Sequence, residues 1–143
     1  MRRIDRHCIE SGLPLDKRLS DFDFAAVSTV SKTHIMALAE GDSWLEQGAN
    51  LLVFGPPGVG KTHLVSSIGH ELIARGCRVL FTRTSDLVQR LQAERRDLRL
   101  PAELSKLDRF DLLICDDYSY VRRDQAENSP LSIASSITPA SSR

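Results

Sequence analysis

Short apolar runs alternate with stretches of helical periodicity along the middle of the chain. The runs at residues 50–54, 77–82 and 111–115 have the length and composition of buried strands. After the first run, apolar residues recur on one helical stripe at Leu64, Val65, Ile68, Leu72 and Ile73. Arg75-Gly76 then predicts the end of this helix. Because strands that alternate with helices form parallel sheets, the pattern predicts an α/β fold.

The remaining periodicity predicts shorter helical segments. They cover about residues 29–40, where Gly41 acts as a stop, one or two turns at 42–47 ended by Gly48, and 102–107, after a break at Pro101. A further helix is capped by Ser85, with Leu87, Val88 and Leu91 on its buried side. Phe22 and Phe24 are expected to dock on the core.

The two ends of the chain differ in character from its middle. Residues 1–19 are charged and irregular, and they are expected to be the remnant of an N-terminal segment that leads into a core at 20–127. Residues 128–143 are rich in serine, contain two prolines and carry no charge before Arg143. This composition predicts neither a helix nor a core strand. The tail is either disordered or the product of a shifted reading frame.

Length and composition restrict the class of protein. A chain of 143 residues with zero formal charge suits one small soluble domain. It has no apolar stretch of membrane-spanning length and no signal-peptide pattern, so a cytoplasmic protein without a membrane partner is expected. Cys8, Cys77 and Cys115 predict neither a disulfide framework nor a zinc site, and Cys115 is expected to be a small buried hydrophobe. The arginine excess fits either phosphate contacts or the base composition of the gene.

A complete Walker A phosphate-binding loop, or P-loop, follows the first predicted strand. It reads Gly55-Pro56-Pro57-Gly58-Val59-Gly60-Lys61-Thr62. Glycines allow the backbone to curl its N–H donors around a triphosphate. Lys61 is expected to reach the β- and γ-phosphates, and the Thr62 hydroxyl is expected to bind Mg²⁺. The helix that begins at about Lys61 would direct its positive end at the bound anion.

Two carboxylates end the third predicted strand. Asp116 and Asp117 follow the apolar run in the manner of a Walker B segment. A metal–nucleotide site needs an acid at the end of a neighbouring strand to hold Mg²⁺, and Asp116 fits that role. Asp117 would orient or deprotonate the attacking water.

Three sequence blocks carry a resemblance to a known family. They are residues 55–64, residues 79–88, and residues 111–117 followed by Tyr120-Val121. These blocks closely resemble the IstB-like proteins, the ATP-binding helpers of insertion-sequence transposition. Those proteins are AAA+ ATPases related to the DnaC-type helicase loader. The resemblance covers about residues 10–127.

The resemblance implies a P-loop NTPase fold of the AAA+ type, with three α/β/α layers around a parallel sheet that is incomplete at the C-terminus. It implies binding of ATP and Mg²⁺, weakly sequence-selective contacts to the DNA backbone, action with the transposase of the same insertion sequence, and homo-oligomers in full-length relatives. Lys61 and Asp117 would be catalytic, and Thr62 and Asp116 would hold the metal. The ATP-binding residues would be Gly55, Pro56, Pro57, Gly58, Val59, Gly60, Lys61, Thr62 and His63.

The sequence departs from the family in two respects. Asp117 stands where many AAA+ proteins have glutamate, and Tyr118-Ser119 replaces the expected Leu-Gly. Family members also have an extra N-terminal helical segment and continue past residue 143 with a fourth strand and its polar sensor residue, a fifth strand and an arginine finger. In family members the fourth strand lies between the strand before the phosphate-binding loop and the strand that ends in the two aspartates. Without it, either strands 50–54 and 111–115 pair directly or the fold is only marginally stable. A truncated, frameshifted helper is therefore expected.

Three functions stay open from the sequence. The first is an ATP-dependent transposition helper. The second is a remnant that does not hydrolyse ATP, or an interaction fragment that interferes with full-length copies. The third is a relative of the helicase loader that acts in replication. The block at residues 82–88 favours transposition over replication, whereas the missing strand favours the remnant over a working enzyme.

Overall fold

The computed structural model describes residues 2–25, 31–41, 44–54, 60–116 and 132–137. The helices in these ranges are α1 (Arg3–Ser11), α2 (Lys32–Glu40), α3 (Lys61–Ala74), α4 (Thr84–Arg96) and α5 (Leu100–Leu107), with a 3-10 turn at Leu19–Asp21. The strands are β1 (Ala49–Phe54), β2 (Val79–Arg83), β3 (Leu112–Asp116) and β4 (Ser132–Ile137). None of the helices in the described ranges is long and apolar enough to cross a membrane.

The core is built around α3. Leu64, Ile68 and Leu72 recur every four residues on this helix, and all three side chains are buried. Residues at this spacing share one helix face, so α3 turns a continuous apolar stripe inward. The predicted helix and its glycine stop at Gly76 are confirmed. The other buried members of the core are Leu13, Phe22, Ile35, Leu38, Ile73, Val79 and Ile114.

Strands β2 and β3 form a parallel pair. Their register runs from Val79 opposite Leu112 to Arg83 opposite Asp116, and α4 and α5 lie in the connection between them. A parallel pair requires such a crossover. Just before β3, the Asp111 carboxylate accepts a hydrogen bond from the Arg78 N–H at 2.8 Å. The pair agrees with the predicted α/β class and brings the carboxyl ends of both strands to one edge.

Strands β1 and β4 form a separate antiparallel pair, with Ala49 opposite Ile137 and Phe54 opposite Ser132. The sequence analysis expected no strand in residues 128–143, and the structure differs at Ser132–Ile137. This segment contains two isoleucines and neither glycine nor proline, so it can adopt an extended backbone. A strand edge offers unpaired N–H and C=O groups to any extended segment. Within the described residues β1 pairs with β4 rather than with β3, so the direct pairing considered above does not form there.

The N-terminal segment is more regular than its composition predicts. The charged composition of residues 1–19 predicts an irregular segment, but Arg3–Ser11 forms α1. This helix packs against β2 and α3, and its buried residues are the polar His7 and Ser11. The Ser11 hydroxyl donates to the Cys8 carbonyl at 2.6 Å. Because the buried face of α1 is polar, the sequence shows no apolar stripe there. Hydrophobic periodicity therefore did not predict this helix.

The second helix and the turn after it position the start of β1. Ser31 caps α2 by accepting a hydrogen bond from the His34 N–H at 3.3 Å, and the predicted stop at Gly41 is confirmed, with φ of 71°. Residues 44–48 form turns instead of the helical segment predicted at 42–47. The Trp44 indole N–H bonds the Leu38 carbonyl at 2.8 Å. This bond ties the turn to α2.

One packing expectation for the second half of the chain was wrong, and another held only in part. Cys115 is exposed rather than buried, because side chains alternate across β3 and Ile114 takes the core face. Helix α4 has no fully buried residue. Of its predicted inward residues, Leu87 and Leu91 are half-buried and Val88 is exposed. Ser85 does not cap this helix, since Arg83 occupies the N-cap position.

Candidate functional site

The first turn of α3 carries the described part of the predicted phosphate-binding loop. Residues 55–59 and 117 lie outside the described residues, whereas Gly60, Lys61, Thr62 and His63 lie within them. Gly60 occupies the N-cap position with φ of 97° and ψ of 23°. A residue with a side chain rarely adopts this left-handed conformation, so glycine is required there. Lys61 and Thr62 follow directly as the first helical residues.

Thr62 and Asp116 meet although they lie 54 positions apart. The Thr62 Oγ1 hydroxyl donates to the Asp116 carboxylate, at 3.2 Å from Oδ2 and 3.4 Å from Oδ1. Both residues are half-buried. The two motifs predict that both residues act on one metal ion, and the fold brings their oxygen atoms together. The contact joins the first turn of α3 to the carboxyl end of β3.

A third residue fixes the end of β3. The Thr84 hydroxyl donates to the Asp116 backbone carbonyl at 3.0 Å. Thr84 is the first residue of α4 and follows β2, whose last residue pairs with Asp116 in the parallel register. The backbone of Asp116 is therefore held from α4, while its carboxylate is contacted from α3. Sequence reasoning missed Thr84, because nothing local indicates a partner 32 residues away.

The N-terminal end of α3 has the electrostatic character of an anion site. Its cap residue is glycine, and no side chain accepts a hydrogen bond there. The first N–H groups of a helix lack intrahelical acceptors and carry the positive end of the helix dipole. Lys61 adds a formal positive charge in the same turn. This combination favours phosphate groups.

The donor set at Thr62 and Asp116 fits a hard divalent cation. A hydroxyl oxygen and a carboxylate are the ligand types that Mg²⁺ accepts, and Mg²⁺ commonly takes one or two protein ligands while waters and phosphate oxygens complete its shell. In the ranges that the structure describes, no group of three or more His, Cys, Asp or Glu side chains could hold a metal ion.

His63 is engaged by the N-terminal segment. Its Nε2 lies 2.8 Å from the Arg18 carbonyl oxygen. Its ring meets the Phe22 ring edge to face, with centroids 5.4 Å apart. Phe22 is buried and Phe24 packs against it at 4.8 Å, so the predicted docking of both rings is confirmed. These contacts bring residues 18–24 to the same end of α3 as Thr62.

Comparison with known proteins places the chain in a family. The model of the family described as IstB-like ATP binding protein matches residues 1–135. The chain belongs to this IstB-like family, and the resemblance noted in the sequence is confirmed. The family implies a P-loop NTPase fold, and the helices and the parallel pair β2–β3 are consistent with part of such an α/β domain.

Several curated relatives carry related names. A protein of Sinorhizobium fredii named as an insertion-sequence ATP-binding protein is 60% identical over 130 residues, which are 91% of this chain and 44% of that protein. One named for insertion sequence IS5376 of Geobacillus stearothermophilus is 38% identical and covers 80% of this chain and 45% of its own length. One named for IS21 of Pseudomonas aeruginosa is 32% identical, covering 90% and 48%. The chain thus spans less than half the length of these relatives.

Proposed function

We propose that this chain binds ATP together with Mg²⁺ at the N-terminal end of α3. The observation that carries the proposal is the 3.2 Å contact between the Thr62 hydroxyl and the Asp116 carboxylate. It joins a residue of the phosphate-loop motif to an acid that the sequence analysis selected for the same ion. The names of the relatives, which describe ATP-binding proteins of insertion sequences, support the same ligand.

Each residue then has a distinct role in binding. The backbone N–H groups of the non-proline loop residues, Gly55, Gly58, Val59 and Gly60, would surround the phosphates. The Lys61 ammonium would pair with the β- and γ-phosphates. Thr62 and Asp116 would hold Mg²⁺, which when bound neutralises charge on the phosphate oxygens. Thr84 would hold the backbone of Asp116 in place through its bond to the carbonyl oxygen.

A binding experiment tests this proposal. A fluorescent ATP analogue is titrated into the purified chain with Mg²⁺, in parallel with Lys61→Ala and Lys106→Ala. The control residue Lys106 is an exposed lysine of α5 that pairs with Glu103. The wild type and Lys106→Ala should bind with equal affinity, and Lys61→Ala should bind at least about tenfold more weakly, which corresponds to about 1.4 kcal/mol. Equal binding by all three proteins, or no binding by the wild type, would contradict the proposal.

Hydrolysis separates two versions of this function. In the first, Asp117 orients or deprotonates the attacking water, so the chain releases phosphate from ATP. In the second, the chain binds nucleotide without hydrolysing it. The arrangement of the described strands favours the second version, because β1 and β3, which precede the two halves of the site, lie in separate sheets. Misplacement by about 1 Å can lower catalysis about 100-fold. Phosphate release that is abolished by Asp117→Asn would support the first version.

We further propose that the chain acts in insertion-sequence transposition, as a cytoplasmic helper that contacts the DNA backbone and the transposase. The relatives' names connect such proteins to insertion sequences. DNA binding is tested by gel shift with and without an ATP analogue at two salt concentrations, because backbone contacts weaken as salt rises. A co-purification assay with the transposase of the same insertion sequence tests the second partner. Absence of both interactions would leave only the nucleotide-binding function.

A further inference from the structure

The N-terminal segment runs along one face of α3. Three side chains of that helix, at positions 63, 67 and 70, reach backbone carbonyls of residues 14–18. His70 Nε2 lies 2.7 Å from the Pro14 oxygen, and His63 Nε2 lies 2.8 Å from the Arg18 oxygen. The Ser67 hydroxyl lies between them, 3.4 Å from the Lys17 oxygen. Spacings of four and three residues place all three side chains on one helical face.

The direction of the segment brings it to the phosphate-binding end of the helix. Pro14 lies beside His70, two turns into α3, whereas Arg18 lies beside His63 in its first turn. A carbonyl oxygen only accepts hydrogen bonds, so each histidine carries its proton on Nε2. The segment is therefore anchored by two imidazole N–H donors, of which only the His63 donor lies next to Lys61 and Thr62.

Phe22 completes the contact with the loop. After the 3-10 turn at Leu19–Asp21, its ring packs edge to face on His63 at an interplanar angle of 87°. A Cβ atom built on Gly60 would lie 3.2 Å from Phe22 Cε2. The Phe22 ring therefore sits directly beside the left-handed backbone of Gly60. Any outward movement of that glycine, or of the first turn of α3, would have to displace a buried aromatic ring.

We infer that Phe22 and His63 are positioning residues for the phosphate-binding loop. This inference rests on the nucleotide-binding function proposed above. It extends that function to Phe22 and gives His63, expected from the sequence to bind ATP, a positioning role instead. Gly60 has wide conformational freedom, and each N–H donor that must be ordered at the moment of binding lowers affinity. By holding Gly60 and the first turn of α3 in place beforehand, Phe22 and His63 remove part of that ordering cost. Neither side chain needs to touch the phosphates to do so.

A matched pair of histidine variants tests the inference. His63→Ala and His70→Ala each remove one imidazole-to-carbonyl hydrogen bond from the same helix, but only the first lies at the phosphate-binding end. The affinity for a fluorescent ATP analogue and the thermal midpoint without nucleotide are measured for both. His63→Ala should weaken binding about threefold to tenfold, which corresponds to about 0.7–1.4 kcal/mol. His70 is buried, so His70→Ala should lower the midpoint more while its affinity stays within about twofold of the wild type.

Two further variants exclude a merely structural effect. His63→Gln keeps an amide N–H that can donate to the Arg18 carbonyl, and it should restore most of the lost affinity. Phe22→Leu keeps an apolar side chain but withdraws the ring edge from Gly60, and it should weaken binding like His63→Ala. The inference is overturned if the wild type binds and both His63→Ala and Phe22→Leu bind equally well, or if affinity simply follows the thermal midpoint. A wild-type chain that binds no nucleotide overturns the proposed function and this inference with it.

Discussion

The contact between Thr62 and Asp116 predicts a measurable coupling even without nucleotide. Thr62→Val removes the hydroxyl while keeping the branched shape of the side chain, and Asp116→Ala removes the acceptor. The two atoms are 3.2 Å apart at their nearest, which is longer than the usual range of about 2.5–3.0 Å for O–H···O bonds. Both residues are half-buried, so water screens part of the interaction.

The expected magnitude follows from this geometry. A hydrogen bond to a charged group is worth about 1.5–3 kcal/mol, and a typical neutral one about 0.5–1.5 kcal/mol. Because the contact is long and partly solvated, we expect a coupling free energy of about 0.5–1.5 kcal/mol. Each single variant should lower the thermal midpoint by a few degrees, given about 2–8 °C per kcal/mol for small domains.

A double-mutant cycle measures this coupling directly. Urea unfolding of the wild type, both single variants and the double variant is followed without nucleotide or Mg²⁺, and the free energies of unfolding are compared. The double variant should lose less stability than the sum of the two single losses. If the single effects add to within about 0.3 kcal/mol, the hydroxyl and the carboxylate do not interact, and the reasoning that joins the two halves of the site is refuted.

Three other predictions concern the surroundings of the site and the core. Thr84→Val should lower the free energy of unfolding by about 1 kcal/mol, since it deletes the bond to the Asp116 carbonyl. Leu72→Ala should cost about 2–5 kcal/mol because Leu72 is fully buried, whereas Leu98→Ala, at a side chain that is 90% exposed, should stay within about 0.5 kcal/mol of the wild type. Burial lowers the pKa of His70, and the hydrogen bond to the Pro14 carbonyl opposes this only in part. The folded protein therefore favours neutral His70, and it should lose stability as the pH falls below about 6.5 and this side chain must take up a proton.

Denaturation experiments check all three. For His70, the unfolded chain binds more protons than the folded chain between the lowered pKa and about 6.5, so stability must rise with pH across that window. Urea midpoints at about pH 5.5 and about pH 7.5 should differ less in His70→Leu than in the wild type. An equal difference in both proteins would count against the assignment. Unchanged midpoints for Thr84→Val, or equal losses for the two leucine variants, would contradict the other two predictions.

Local sequence features predicted the elements that carry the site. The strand before the loop, the helix from Lys61 and the strand before Asp116 each combine an apolar pattern with a clear boundary signal, and each appears in the structure. The contact between Thr62 and Asp116 could be anticipated because both motifs assign an oxygen ligand to one metal ion, although β1 and β3 lie in separate sheets of the described residues. The motif thus predicted which residues approach each other, although 54 positions separate them.

The features that escaped prediction depend on tertiary contacts. Helix α1 buries His7 and Ser11, so its inward face has no apolar signature. Strand β4 pairs through its backbone, and a serine-rich sequence gives little indication of that. The docking of Phe22 was predicted, but its contact with Gly60 was not, nor was the bond from Thr84 to Asp116, because each joins separate elements of the chain. The exposure of Cys115 could not be predicted either, because an apolar run does not reveal which of the two strand faces is covered by a neighbouring element.

The central claim is that Thr62 and Asp116 form a magnesium-dependent nucleotide site. The most direct measurement is the dissociation constant of a fluorescent ATP analogue with saturating Mg²⁺ and with a chelator, for the wild type and for Asp116→Asn. The account predicts that Mg²⁺ tightens binding to the wild type by at least about tenfold, or about 1.4 kcal/mol, and that most of this gain disappears in Asp116→Asn. An equal magnesium effect in both proteins, or none in the wild type, would contradict it.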